Sequence, residues 1–288
     1  MDFTFYKTWW DTLWFFFRVI GNVRHPVRQA FSFDTKSENV KVIAVPAFWD
    51  NYSYIVTSGN DAMVIDPSQS KTVQREIEIR KLRLSSIAVT HEHIDHVAGV
   101  RMLQKKSGAF IYIPKGASIP GETIEITDGY ALPLGGVSMK AIFVPGHYAY
   151  PYPIDNLNRN IAWYCEEAGI LFTGDTLFSC GYGYTLRGHE NAMFKSLKLL
   201  RSLPDDVSVF FGHEYSLRLT ESVARVDSGN NALLERLKKV KNLLGRHEPT
   251  VPTTIRLEKL INPWLRLDDE LFLKALGVTR GFVGLFSG

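Results

Sequence analysis

The sequence predicts a mixed α/β body followed by an all-helical appendage, and three observations carry that reading. Short apolar, β-branched runs alternate with helical patterns from Val40 to Tyr215. Histidines and aspartates cluster at the C-terminal ends of those runs. Beyond Tyr215 the strand-like runs give way to "NNALLERLKKVKNLLG", whose Leu233, Leu234, Leu237, Val240, Leu243 and Leu244 fall on one helical face.

In chain order, "VKVIAVP", "YSYIVT", "AMVIDP", "SSIAVT" and "AFIYIP" read as strands by length and residue type. Between the third and fourth of these lies "KTVQREIEIRKL", and "AGVRMLQKKSG" follows the fourth; both suit helices closed by turn signals. A second set of strand runs follows in "VSMKAIFVPG", "NIAWYC", "GILFTGD" and "VSVFFGHE", with a helix expected over "ENAMFKSLKLLRSL". No repeat or low-complexity linker separates body from appendage, so the two are expected to pack together.

Composition excludes several classes of partner. At 288 residues, 45% hydrophobic and 22% charged, the chain is long and apolar enough to bury a sizeable core. A net charge of +3 gives no support to nucleic-acid binding, and "KKVKNLLGRH" reads as the solvated face of a helix. Cys165 and Cys180 lack the C-x-x-C spacing of a structural zinc site and cannot form a disulfide framework. A reducing compartment fits that cysteine usage, and the expected location is intracellular, cytoplasmic or mitochondrial.

Residues 1–38 form an aromatic and basic extension. A membrane-spanning helix needs about 20 mostly apolar residues, and Lys7, Asp11 and Arg18 interrupt this stretch. On a helix Phe3, Tyr6, Trp10, Leu13, Trp14 and Phe17 would share one face. That pattern suits contact of residues 1–30 with a membrane surface, a targeting peptide, or packing onto the protein itself.

The stretch "VTHEHIDHVAGV" places His91, His93, Asp95 and His96 directly after a buried strand. His147 in "AIFVPGH", Asp175 in "ILFTGD" and His213 in "VFFGH" occupy equivalent positions. Strand ends are rigid yet open at the sheet rim, so side chains from several strands can converge on an ion. Seven nitrogen and oxygen donors exceed what one tetrahedral ion uses and point to two divalent metals, with zinc, iron or manganese favoured over calcium or magnesium. His25, His189 and His247 have no such context and read as surface residues.

"THEHIDH" resembles the metal motif of the metallo-β-lactamase superfamily. "VIAVPAFWDNYSYIV", "LFTGDTLFSCG", "GHEYS" and "PTVPTTIRLEKLINPWLR" extend the resemblance to its glyoxalase II (hydroxyacylglutathione hydrolase) branch. The resemblance implies an αββα sandwich over residues 39–215 and a helical substrate-binding domain over 216–288. It implies one metal on His91, His93 and His147, a second on Asp95, His96 and His213, and Asp175 bridging. The implied reaction is hydrolysis of S-2-hydroxyacylglutathione, such as S-lactoylglutathione. Asp95 and Asp175 are then the catalytic carboxylates, holding the ions that lower the pKa of a shared water and polarise the thioester carbonyl. Two alternatives are a membrane-associated relative with little turnover and a persulfide dioxygenase with a single iron.

The match departs from the family pattern in the pocket. Where the family places a basic residue and then an aromatic after Cys-Gly, this chain has Tyr184 and Leu186. Tyr215 and Arg266 match substrate-contact positions, but a lysine expected after Arg266 is Asp269. Ile94 replaces the usual tryptophan of the histidine motif, and "YAYP" follows His147 in place of Thr-x-Gly-His. Tyr184 and Asp269, standing where basic residues are expected, remove positive charge, which widens the expected thiol carriers from glutathione to polyamine conjugates such as trypanothione.

Overall fold

The computed structural model describes residues 25–147, 159–185 and 189–266. Residues 1–24, with the aromatic face of the N-terminal extension, lie outside them, as do Leu186 and Asp269. Two sheets face each other. The first runs in spatial order β1 (Phe31–Asp34), β2 (Val40–Ala47), β3 (Asn51–Ser58), β4 (Asp61–Ile65), β5 (Arg83–Ala88), β6 (Phe110–Pro114) and β7 (Thr123–Ile126). The second comprises β8 (Ala131–Leu134), β9 (Val137–Phe143), β10 (Ile161–Cys165), β11 (Ile170–Gly174), β14 (Ser208–Phe211) and β15 (Thr253–Thr254). A small hairpin, β12 (Leu177–Phe178) with β13 (Gly181–Tyr182), stands apart.

Alternation along each strand builds four layers. Val42, Ala44, Tyr54 and Val56 face Trp163, Phe172 and Phe210 of the other sheet, filling the space between sheets. Their neighbours Ile43, Val45 and Ile55 point outward and are covered by Val73, Val100 and Leu103. Those residues belong to α1 (Ser70–Ile79) and α3 (Val100–Ser107), between which lies the one-turn α2 (Ile94–Val97). The outer face of the second sheet is sealed by Met193, Leu197 and Leu200 of α4 (Glu190–Arg201). Strands buried on both faces read as continuous apolar runs, which is why they stood out in the sequence.

Parallel pairing follows where helices intervene. β4, β5 and β6 are parallel neighbours joined through α1 and α3, and β11 pairs in parallel with β14 across α4. These crossovers bring the C-terminal ends of β5, β11 and β14 to one rim.

After β14 come α5 (Ser216–Ala224), α6 (Asn231–Gly245), α7 (Ile255–Ile261) and a 3₁₀ turn, Pro263–Leu265. The helical segment is not strand-free: Thr253 and Thr254 pair with β14. Its polar interior reaches back to the β12–β13 hairpin, where the buried Glu258 carboxylate accepts from Ser179 Oγ at 2.9 Å and Cys180 N at 2.8 Å. The leucine stripe of α6 is corrected in one respect. Leu234 is 41% exposed, while Arg236 is buried and donates to Thr250 O and Ser179 Oγ.

Candidate metal centre

The site sits at the rim where those strand ends meet. His91 and His93 follow β5, Asp95 and His96 lie on α2, His147 follows β9, Asp175 follows β11 and His213 follows β14. The structure brings all seven predicted donors together. Donor atoms of His91, His93, His147 and Asp175 lie within 4.8 Å of one another, as do those of Asp95, His96 and His213. Asp175 joins the groups: its carboxylate stands 3.4 Å from His96 Nε2, 3.3 Å from His213 Nε2 and 3.7 Å from His147 Nε2.

The outward nitrogens of the imidazoles fix which nitrogen points inward. His96 Nδ1 faces the Asp66 carboxylate at 2.9 Å, His213 Nδ1 faces Asp50 Oδ1 at 2.9 Å and His147 Nδ1 faces the Tyr184 carbonyl at 2.9 Å. Carboxylates and carbonyls only accept, so each Nδ1 carries the proton and each Nε2 offers its lone pair to the centre. Thr90 Oγ1 donates to Asp66 at 2.6 Å and therefore accepts from His91 Nδ1 at 2.9 Å, which orients His91 likewise. His93 is the exception, presenting Nδ1 to His91 Nε2 at 3.0 Å and His147 Nε2 at 3.2 Å. Nitrogens about 2.1 Å from one tetrahedral ion would stand roughly 3.4 Å apart, close to this spacing.

Charge divides the site into unlike halves. Burial holds His91 and His93 below the usual histidine range and brings His147 down to about 3, with neighbouring imidazoles adding to the effect at His91 and His147. Burial also opposes charge on His96 and His213, but Asp175 overcomes it, raising His96 to about 10 and His213 well above its ordinary value. Asp175 is held well below the carboxylate range despite its burial, because His213 and His96 face it. Its Oδ1 is buried without a hydrogen bond. Seven convergent donors with an unbonded carboxylate oxygen fit cations, and the two clusters support a dinuclear metal site.

The comparisons with known proteins agree with this geometry. The "Metallo-beta-lactamase superfamily" profile matches residues 47–155, and the "Hydroxyacylglutathione hydrolase C-terminus" profile matches residues 214–284. A hydroxyacylglutathione hydrolase of Albidiferax ferrireducens is 36% identical over 240 residues, covering 82% of this chain and 91% of the relative. The chain belongs to the hydroxyacylglutathione hydrolase family. A family member from Synechococcus sp. is also 36% identical, over 83% of this chain and 93% of its own. Among solved structures, a metallo-β-lactamase from Staphylococcus aureus superposes with TM-score 0.56 at 20% identity, covering 88% of this chain and 68% of that one. ETHE1 from Myxococcus xanthus gives 0.55 at 19%, covering 89% and 94%. At these identities both show the fold, a metallo-β-lactamase sandwich.

Of the remaining sequence candidates in this family member, Tyr215 and Tyr184 lie beside histidines of the site. Tyr215 stacks on His213, ring centroids 4.8 Å apart and nearly parallel, and Phe178 meets both rings edge-on. Tyr184 is 68% exposed beside His147. Arg266 is only 8% exposed and donates to the buried Asp227.

Sequence reasoning overlooked the groups that hold the donors. Asp66 ends β4 just as Asp175 ends β11, so the same strand-end signal was present in "AMVIDP". Asp50 and Asn51 gave no such signal; Asn51 Nδ2 donates to Asp95 Oδ2 at 3.1 Å. Gly212 and Gly183 form close walls: a Cβ on the first would run into Asp175 and His96, and on the second into the Asp175 carbonyl and His147. His25, expected at the surface, is buried, only 9% exposed, its ring spanning Asn51 O and Val27 N. His189 and His247 are half-buried, and His247 Nδ1 donates to Pro26 O.

Proposed function

We propose that this chain is a dinuclear metallohydrolase of glyoxalase II type, cleaving S-2-hydroxyacylglutathione, such as S-lactoylglutathione, or a related thiol conjugate. The observation that carries the reading is the convergence of seven donors, bridged by Asp175, in a member of the hydroxyacylglutathione hydrolase family. His91, His93 and His147 would hold one ion and Asp95, His96 and His213 the other, with zinc the first choice and iron or manganese the alternatives. Bound there, the ions supply Lewis acidity toward water and the thioester carbonyl.

The chain's own residues do the rest. Asp50, Asp66, Thr90 and the Tyr184 carbonyl fix the imidazoles, so little reorganisation accompanies the reaction. Tyr215, stacked on His213, offers a rigid wall against which the thioester can lie. A thiolate is a good leaving group, so the site needs no strong general acid beside it. Tyr184, Arg266 and Asp269 are the further substrate contacts of this reading. The substrate implies an intracellular thiol pool, cytoplasmic or mitochondrial, and residues 1–30 would be the segment that meets a membrane or targeting machinery. No helix among the described residues is long and apolar enough to cross a membrane.

The test is thiol release from S-D-lactoylglutathione and from its trypanothione analogue by protein loaded in turn with zinc, iron or manganese, with metal content measured. Turnover of either thioester with two ions bound supports the reading. A protein that binds two ions and cleaves neither sinks it.

A further inference from the structure

We infer that Arg218 is the residue that reads a carboxylate of the thiol carrier, a specificity determinant for an anionic peptide-like thiol; this rests on the thioester-hydrolase reading of the site. Arg218 lies in the first turn of the nine-residue helix α5, and its guanidinium carbon sits over the Tyr215 ring, 5.1 Å from the centroid. The same ring is stacked on His213. The cation is therefore one aromatic contact removed from the metal centre, on the wall along which a substrate would enter.

Local structure does not account for the charge at that place. The positive end of a helix dipole disfavours a guanidinium in the first turn. Glu221, the carboxylate one turn along, is engaged by Lys241 at 2.9 Å, and no carboxylate among the described residues pairs with Arg218. The other guanidinium groups near the site already hold protein groups. Arg159 donates to Glu92 within the histidine motif, Arg236 donates to Ser179 and Thr250, and Arg266 donates to Asp227. All three are buried, whereas Arg218 is exposed. An exposed guanidinium resting on an aromatic face keeps all its N–H donors for a planar anion.

The reach suits a peptide thiol. Two ring contacts, of 4.8 and 5.1 Å, separate the guanidinium from the His213 ring. One residue of extended chain spans at most about 3.6 Å, so the sulfur-bearing side chain and the one or two residues beyond it are needed to bring a carboxylate to Arg218 while the thioester lies over the donors. Glutathione-type thiols carry such a group; a neutral thiol carrier does not.

The experiment uses the metal-loaded full chain. S-methylglutathione is titrated calorimetrically into the parent, Arg218→Gln and, as a charge-matched control, Arg225→Gln at the C-terminal cap of the same helix. KM is then compared for S-D-lactoylglutathione and the lactoyl thioester of N-acetylcysteamine, which has no carboxylate. The expected result is about tenfold weaker binding of S-methylglutathione by R218Q alone, with KM raised only for the glutathione thioester. Equal affinity in parent and R218Q, or no binding by the parent, overturns the assignment. A KM increase on both thioesters also overturns it, because that would mark a general disturbance of the pocket. A parent that binds S-methylglutathione through Arg218 yet cleaves no thioester keeps the subsite and refutes the hydrolase reading instead.

Discussion

Asp50 Oδ1 accepts from His213 Nδ1 at 2.9 Å, although 163 positions separate the two residues. The bond sets the ring so that Nε2 faces Asp175 and Asp95. Removing it should leave the fold intact and loosen one donor. Asp50→Ala is expected to weaken the ion at the Asp95, His96 and His213 cluster 10- to 100-fold, while the His91, His93 and His147 cluster keeps its affinity. Chelator competition resolves the two steps, and an equal loss at both would contradict the division of the site.

Gly212 tests whether the centre tolerates any narrowing. A methyl group there would collide with the Asp175 carboxylate and the His96 ring, on a strand end fixed by its bond from Gly212 N to Gly174 O at 2.8 Å. Gly212→Ala should therefore abolish binding of at least one ion, with a Tm loss in the metal-free protein of only a few degrees. Normal two-ion stoichiometry in G212A would show that the site opens more readily than its packing indicates.

These two residues also show where sequence reading stops. β3, β4, β10 and β11 were legible because both faces are buried, and β2, β5, β6 and β9 because each carries buried apolar residues within the strand. β1, β7 and β8 were missed: each has four residues with some face exposed, as in the alternating pattern of "ALPL", and Pro133 argues against a strand. The seven donors stood out because each ends a recognisable run. Asp50 and Gly212 act through distance in space, which no local pattern encodes. Arg236 shows the same limit on α6: three residues after Leu233 and four before Val240, it lies on their buried face, where its bonds to Thr250 and Ser179 satisfy it, while Leu234 is turned outward.

The unlike charges of the two halves give a pH dependence. In metal-free protein His96 is raised to about 10, so its contribution to stability is complete below 6.5 and disappears as pH rises through about 10. His213 is shifted in the same direction. A metal ion must displace those protons, so its binding becomes more favourable as they leave. The zinc-induced rise in Tm should therefore be larger at pH 8.5 than at pH 6.5. His147, already neutral down to about 3, should hold its ion to lower pH than the His96 and His213 half. An increase in Tm that shrinks with rising pH would contradict the assignment.

Arg266 poses the last question, because its residue type suits substrate binding while its surroundings suit structure. Its guanidinium donates to Asp227, and both side chains are largely buried. Asp227 is further engaged by Asn230 Nδ2, the cap of α6, so the pair ties the end of the 3₁₀ turn to the start of a helix. Asp227→Ala would take the carboxylate away from a buried cation, and breaking a buried pair by removing one partner typically costs about 3–5 kcal/mol. Replacing both partners, Asp227→Leu with Arg266→Met, removes the charge as well and should recover most of that loss. The double variant separates the two roles. If Arg266 serves structure alone, the recovered protein keeps its KM for S-D-lactoylglutathione; if it also contacts the thiol carrier, stability returns while KM stays raised. Measured beside R218Q, the result shows whether one guanidinium or two face the substrate's carboxylates, because independent contacts would multiply their effects on KM and a shared one would not.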